Sequence, residues 1–191
     1  MYTAQLDLSG LPDPSGTSFK EFWDLSQSTN THILDDPAWQ SLNTQITANL
    51  NSFFHDHLRA VNTVNLKITL SWINRYQRGQ QQPRHFHSNS VFSGVVMLCD
   101  HPSDLVFYTP HRSNYRWNVT DTNIWNSSSW RMPCARGLLI VTPSVLDHET
   151  HSNDYDLTRW SLAFDTELEG DLDWVRSVPE TLNNLSQYTR S

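Results

Sequence analysis

The spacing of apolar residues changes once along this chain, near residue 62, and that change leaves few architectures open. Before it, Trp39, Leu42, Ile46, Leu50, Phe53 and Phe54 recur mostly three or four apart, as on one face of an amphipathic helix. Asp36-Pro37 opens that run, with a capping carboxylate and a proline suited to the first helical position. A shorter helix is expected through Lys20-Glu21-Phe22-Trp23, capped by Thr17 or Ser18. After the change, Val64, Leu66, Ile68, Leu70 and Trp72 alternate with polar residues, as in a half-buried strand. Further short strands are expected at Val91–Leu98, Leu105–Tyr108, Tyr115–Val119, Gly137–Thr142 and Leu157–Phe164. Gly79, Pro83, Pro102, Pro110, Pro133 and Pro143 punctuate them. A helical block followed by many short strands predicts a mainly β, α+β chain, an antiparallel sandwich or barrel buttressed by helices. With no evident linker in 191 residues, one domain is expected: helical support over 1–60, a β core over 62–166 and an extension over 167–191. A helix is expected in that extension at Pro179–Tyr188.

Composition narrows the function. Thirteen Lys/Arg against twenty Asp/Glu give a formal net charge of -7, which disfavours a partner bound through its phosphate backbone. A local basic groove stays open in the stretch holding Arg112, Arg116, Arg131 and Arg136. Cys99 and Cys134 are too few for a disulfide scaffold and lack metal-type spacing; reduced thiols in a cytoplasmic protein are the expectation. Asn118-Val119-Thr120 and Asn126-Ser127-Ser128 fit the glycosylation sequon, which matters only in a secreted protein. No apolar run approaches the roughly 18 residues of a membrane span, and no signal segment opens the chain.

The chemistry concentrates in histidines. Residues two apart on extended backbone point to the same side, so His85 and His87 can aim both imidazoles at one point. Neutral imidazole is a ligand for iron, copper, nickel and zinc. After the strand at Gly137–Thr142, Pro143-Ser144-Val145-Leu146-Asp147-His148 supplies a third. Eleven residues on, Arg159 and Ser161 share one face of the last expected strand. A guanidinium beside a hydroxyl suits an anionic cosubstrate. The other histidines read as ordinary. His55 and His57 fall on the long helix, where positions two apart diverge by roughly 200°. His148-Glu149-Thr150-His151 spaces its histidines three apart rather than the four of a zinc helix. His101, His111 and His151 have no evident partners.

In this order the residues resemble the 2-oxoglutarate/iron(II)-dependent oxygenases. The similarity is greatest to a small prolyl-hydroxylase-like subgroup with an HxH motif, common in bacterial viruses and marine bacteria. The motif residues are Trp72, Asn74, Gly79, His85, His87, Ser90, Ser93 and Gly94; then Gly137, Leu139, Pro143, Ser144, Leu146 and His148; then Arg159, Ser161 and Phe164. The resemblance implies a double-stranded β-helix (jelly roll). It also implies iron(II) held by His85, His87 and His148, and 2-oxoglutarate held by Arg159, Ser161 and Tyr76. The implied reaction consumes dioxygen, hydroxylates a small-molecule or peptidyl substrate, and yields succinate and CO2, with ascorbate as the reductant in vitro. The wider superfamily has a carboxylate where this chain has His87, and the alternative there is a position completed by water. The region from Tyr108 to Arg136 would form part of the substrate mouth, with Trp117 and Arg131 as candidate contacts; Trp117, Trp125 and Trp130 could equally be core.

Two other readings stand beside this one. A three-histidine, cupin-like metalloenzyme would use no 2-oxoglutarate, and three histidines are also a zinc set. A jelly-roll binding or structural protein would need no metal at all.

Overall fold

The structure is a computed structural model that describes residues 1–109, 120–121 and 127–172. The strand expected at Tyr115–Val119 and the helix expected at Pro179–Tyr188 lie outside the described residues, as do Trp117 and Trp125. In chain order the elements are β1 (Tyr2–Gln5), β2 (Phe19–Phe22), β3 (Leu25–Ser28), α1 (Gln40–Asn51), β4 (Val64–Tyr76), β5 (Gln82–His85), β6 (Phe92–Met97), β7 (His101–Tyr108), β8 (Ser129–Cys134), β9 (Leu138–Pro143), β10 (His148–Thr150) and β11 (Arg159–Gly170).

Among the described residues the strands form two sheets. One has seven strands in the order β1-β9-β6-β11-β4-β3-β2; the other has four in the order β5-β10-β7-β8. Pairing between named strands is antiparallel throughout. This is a double-stranded β-helix with a helical region packed outside the larger sheet.

Helix α1 begins as the sequence predicts. Asp36 accepts a hydrogen bond from the Ala38 amide at 2.9 Å, a 3-10 turn spans Pro37–Trp39, and α1 follows. A wider helical turn at Ser52–His57 ends the segment. Trp39, Leu42, Ile46, Leu50, Phe53 and Phe54 are all buried, packed on Ile73, Val96, Leu139, Val141, Leu162 and Phe164 from the outer face of the sheet. A close approach falls at Gly94, whose β-carbon, if present, would lie 2.1 Å from the Phe164 ring.

The N-terminal segment corrects one expectation. Residues 19–22 form β2, not a helix, and pair with β3 as a hairpin on the edge of the larger sheet. Tertiary contacts override local preference: the Phe19 ring packs 5.6 Å from Trp160, with the Arg75 guanidinium 4.6 Å from it on the ring face. The first residue after β2 is Trp23 at φ 52°, a left-handed position at which the sequence carries no glycine or asparagine to announce a turn.

Strand β4 holds the second difference. Val64 and Leu66 face the helices, but Leu70 is exposed. Asp165 of β11 pairs with Leu70 and Thr166 with Ile68, leaving Thr69 as an extra residue in β4. This bulge shifts the alternation by one. Beyond it Ser71 and Ile73 are buried on the helix side, and Leu70, Trp72, Asn74 and Tyr76 line a cavity between the sheets.

Candidate metal centre

The inner faces of both sheets enclose that cavity, of about 340 Å³. The smaller sheet brings His85 and His148 together directly. His85 ends β5, His148 starts β10, and the two are register partners. His87 lies just past β5, where its amide donates to Ser144 O at 2.9 Å. The turn before β10 thereby fixes the backbone that follows β5. The ring centroids are 4.3 Å apart for His85–His148, 5.4 Å for His85–His87 and 5.2 Å for His87–His148. One nitrogen from each lies within 4.8 Å of the others. Among the described residues no Asp or Glu joins this cluster.

Hydrogen bonds identify which nitrogens converge. His85 Nδ1 lies 2.8 Å from Pro83 O, and His148 Nδ1 lies 3.0 Å from Leu146 O. His87 Nδ1 lies 2.6 Å from Asp165 Oδ1. Carbonyl and carboxylate oxygens only accept, so Nδ1 is the donor in each ring and the Nε2 lone pair is left free for a metal. Burial, reinforced by His85 beside it, pushes His148 down to about 3. Burial also lowers His85. Both are therefore neutral at neutral pH, the form that ligates.

Across the cavity, β11 turns Arg159, Ser161, Ala163 and Asp165 toward the same space as the histidines. Arg159 is 3% exposed. Its guanidinium lies 4.0 Å from the Tyr76 ring centroid, and Nη1 donates to Ser103 Oγ at 2.8 Å. Nη2 is buried without a hydrogen-bond partner among the described residues. A buried guanidinium with an unused donor facing a cavity has the chemistry to take a carboxylate. Tyr76 is the register partner of Arg159. Burial raises its pKa and the Arg159 charge opposes the rise, so its hydroxyl stays protonated and can donate. Ser161 lines the same wall. Met97, Leu105, Phe107 and Ile140 give the cavity an apolar flank.

The structure assembles His85, His87, His148, Arg159, Ser161 and Tyr76 around one cavity. Arg131 is elsewhere: it sits on β8, 3.8 Å from Asp104 and 63% exposed, outside the cavity lining. Three of the other histidines are engaged by other groups. His55 meets Ala60 O and Asn65, His101 meets Ser103 and Leu157 O, and His151 meets Glu149. Cys99 and Cys134 are free thiols. Sequence reasoning missed Asp165, although it lies on the Arg159–Ser161 face at the same period of two.

Comparison with known proteins places the cavity in context. Residues 70–165 match the family described as "Putative 2OG-Fe(II) oxygenase". Similar solved structures include a 2OG-Fe(II) oxygenase family oxidoreductase from Burkholderia pseudomallei, at TM-score 0.57 and 17% identity over 80% of this chain and 73% of that one. A Pseudomonas putida prolyl-4-hydroxylase aligns at TM-score 0.56 and 11% identity over 80% and 78%. HygX from Streptomyces hygroscopicus, solved with nickel, 2-oxoglutarate and hygromycin B, aligns at TM-score 0.55 and 11% identity over 80% and 74%. At these identities the likeness is one of fold. No curated protein matches the sequence. Among the described residues no helix is long and apolar enough to cross a membrane.

Proposed function

The chain belongs to the 2OG-Fe(II) oxygenase family, and from that premise we propose that it is an iron(II)- and 2-oxoglutarate-dependent oxygenase acting on a small-molecule or peptidyl substrate. The observation that carries the proposal is the pairing of two features in one cavity. Three imidazoles, their Nδ1 atoms engaged elsewhere, each bring a ring nitrogen within 4.8 Å of the others, and Arg159 carries a guanidinium nitrogen with no partner among the described residues in the same space. The residues present fit both groups. Imidazole nitrogen suits iron(II), and a buried guanidinium suits a carboxylate. When bound, iron and 2-oxoglutarate supply oxidative decarboxylation to succinate and CO2, coupled to hydroxylation of the substrate by dioxygen.

The chain's own part is binding and orientation. His85, His87 and His148 would hold the metal, each locked in one tautomer by its Nδ1 partner. Arg159 would neutralise the distal carboxylate of the cosubstrate, with the Ser161 and Tyr76 hydroxyls as further donors. Met97, Leu105 and Ile140 would exclude water along the methylene chain. The rim toward solvent includes Trp23 and Phe86, 59% and 56% exposed, and the Trp23 ring meets His85 edge-on at 5.8 Å. These rings place apolar surface beside the metal position, where a substrate would enter.

A second reading is favoured by the donor set. Three imidazole ligands without a carboxylate among the described residues also describe a metalloenzyme that needs no 2-oxoglutarate. Calorimetric titration of the metal-loaded protein with 2-oxoglutarate, without oxygen, separates the two. The oxygenase reading expects one site that disappears when the metal is omitted. Stoichiometric metal with no 2-oxoglutarate binding would establish the second reading instead.

A further inference from the structure

The cluster of three imidazoles has one asymmetry. His85 and His148 each donate Nδ1–H to an uncharged backbone carbonyl. His87 donates to a carboxylate oxygen of Asp165, at 2.6 Å. Both side chains of that pair are 11% exposed. The same Asp165 oxygen accepts from Ser93 Oγ at 2.7 Å. The Trp72 ring stacks on His87 at 5.7 Å and 24°. His87 is thus held on its edge by Asp165 and on its face by Trp72.

We infer that Asp165 is a positioning residue for the metal centre, supplying through His87 the negative charge that a three-histidine donor set lacks. The inference rests on the proposal that the three histidines hold a metal. The reason is electrostatic. A carboxylate that accepts the Nδ1 proton of an imidazole fixes the tautomer, orients the ring and makes Nε2 a stronger donor to the metal. The charge is delivered one residue away from the metal rather than by direct ligation. The fold builds the relay deliberately: Asp165 sits beside the bulge at Thr69, whose hydroxyl donates to the Asp165 carbonyl at 3.3 Å. Ser93, on the neighbouring β6, is the register partner of Asp165 and anchors its carboxylate. A carbonyl would suffice to hold a ring by its edge, as it does for His85 and His148; the buried carboxylate adds charge.

Cobalt(II) titration of the metal-free protein tests this without 2-oxoglutarate or turnover. Affinity and the visible absorption of the bound ion are read in the wild type, Asp165→Asn, Asp165→Glu, Ser93→Ala and His148→Ala. Asparagine keeps an acceptor oxygen and nearly the same shape, so it isolates the charge. Asp165→Asn should weaken cobalt binding roughly 10- to 100-fold and shift the absorption, with an unchanged thermal midpoint of the metal-free form. Asp165→Glu should recover part of the affinity. Ser93→Ala, which frees the carboxylate but keeps its charge, should show a smaller loss in the same direction. It decides the matter if Asp165→Asn does not fold: wild-type affinity and spectrum there overturn the inference. Wild-type affinity and spectrum in Asp165→Asn, with binding lost in His148→Ala, overturn this inference alone. No cobalt binding by the wild type overturns the metal reading beneath it as well.

Discussion

Replacing Arg159 by methionine should weaken 2-oxoglutarate binding severely while leaving the ligand-free fold about as stable as before. The two effects follow from the same surroundings. In the ligand-free protein the guanidinium donates to Ser103 at 2.8 Å and lies over the Tyr76 ring at 4.0 Å. The bond to a charged donor contributes about 1.5–3 kcal/mol, and the ring contact about 0.5–2 kcal/mol. Against these stands a buried cation with no carboxylate in ion-pairing distance among the described residues, and with Nη2 unsatisfied. One unsatisfied charged donor costs about 1–3 kcal/mol or more, and the buried charge adds to that. The contributions roughly cancel, and Ser103 keeps His101 Nδ1 as a partner at 2.7 Å. Urea unfolding of Arg159→Met should therefore stay within about 1 kcal/mol of wild type. Binding behaves differently, because losing the charged partner of a buried carboxylate costs about 2–5 kcal/mol. At about 1.4 kcal/mol per tenfold, that weakens 2-oxoglutarate roughly 30-fold to several-thousand-fold by calorimetry. The reasoning fails if the substitution destabilises the ligand-free protein by 3 kcal/mol or more while 2-oxoglutarate affinity is unchanged; Arg159 would then be a structural residue.

Two further outcomes follow from the fold and the site. Gly94→Ala puts a methyl 2.1 Å from the fully buried Phe164 ring and should destabilise by about 1–3 kcal/mol, seen as a lower thermal midpoint that Phe164→Leu partly restores; an unchanged midpoint would contradict the packing. Protonation supplies the other. His148 is held at about 3 and His85 below its usual 6.5, so near pH 6 the unfolded chain binds protons that the folded metal-free form does not. Stability is then fully present above about pH 6.5 and declines as pH falls toward 3. Urea midpoints across that range should show a shallower decline in His148→Gln, and an identical decline would remove His148 as the cause.

The residues differ in how far their placement could be read from sequence. His85 and His87 are legible because extended backbone puts residues two apart on one side, and β5 is extended up to His85. The buried face of the helical segment around α1 is legible because six apolar residues keep mostly helical spacing and all six are buried. The hairpin of β2 and β3 is not, since its turn starts on a tryptophan in the left-handed region and its strands are held by Trp160 and Arg75 from elsewhere in the chain. The bulge at Thr69 is equally hidden: the alternation from Val64 to Trp72 looks unbroken in sequence, yet the register slips within it and turns Trp72, Asn74 and Tyr76 toward the cavity. Asp165 is an intermediate case. Its period-two relation to Arg159 and Ser161 is visible, but its bond to His87, 78 residues earlier, exists only once β11 and the turn after β5 are brought together.

The most direct test of the account is turnover by the wild-type protein supplied with iron(II), ascorbate, dioxygen and 2-oxoglutarate. Succinate and CO2 should form in equal amounts, at least by slow uncoupled reaction, and both should vanish in His148→Ala. In Arg159→Met they should return only at much higher 2-oxoglutarate. Succinate formation that survives both substitutions, or its absence from a protein that binds one iron per chain, would contradict the account.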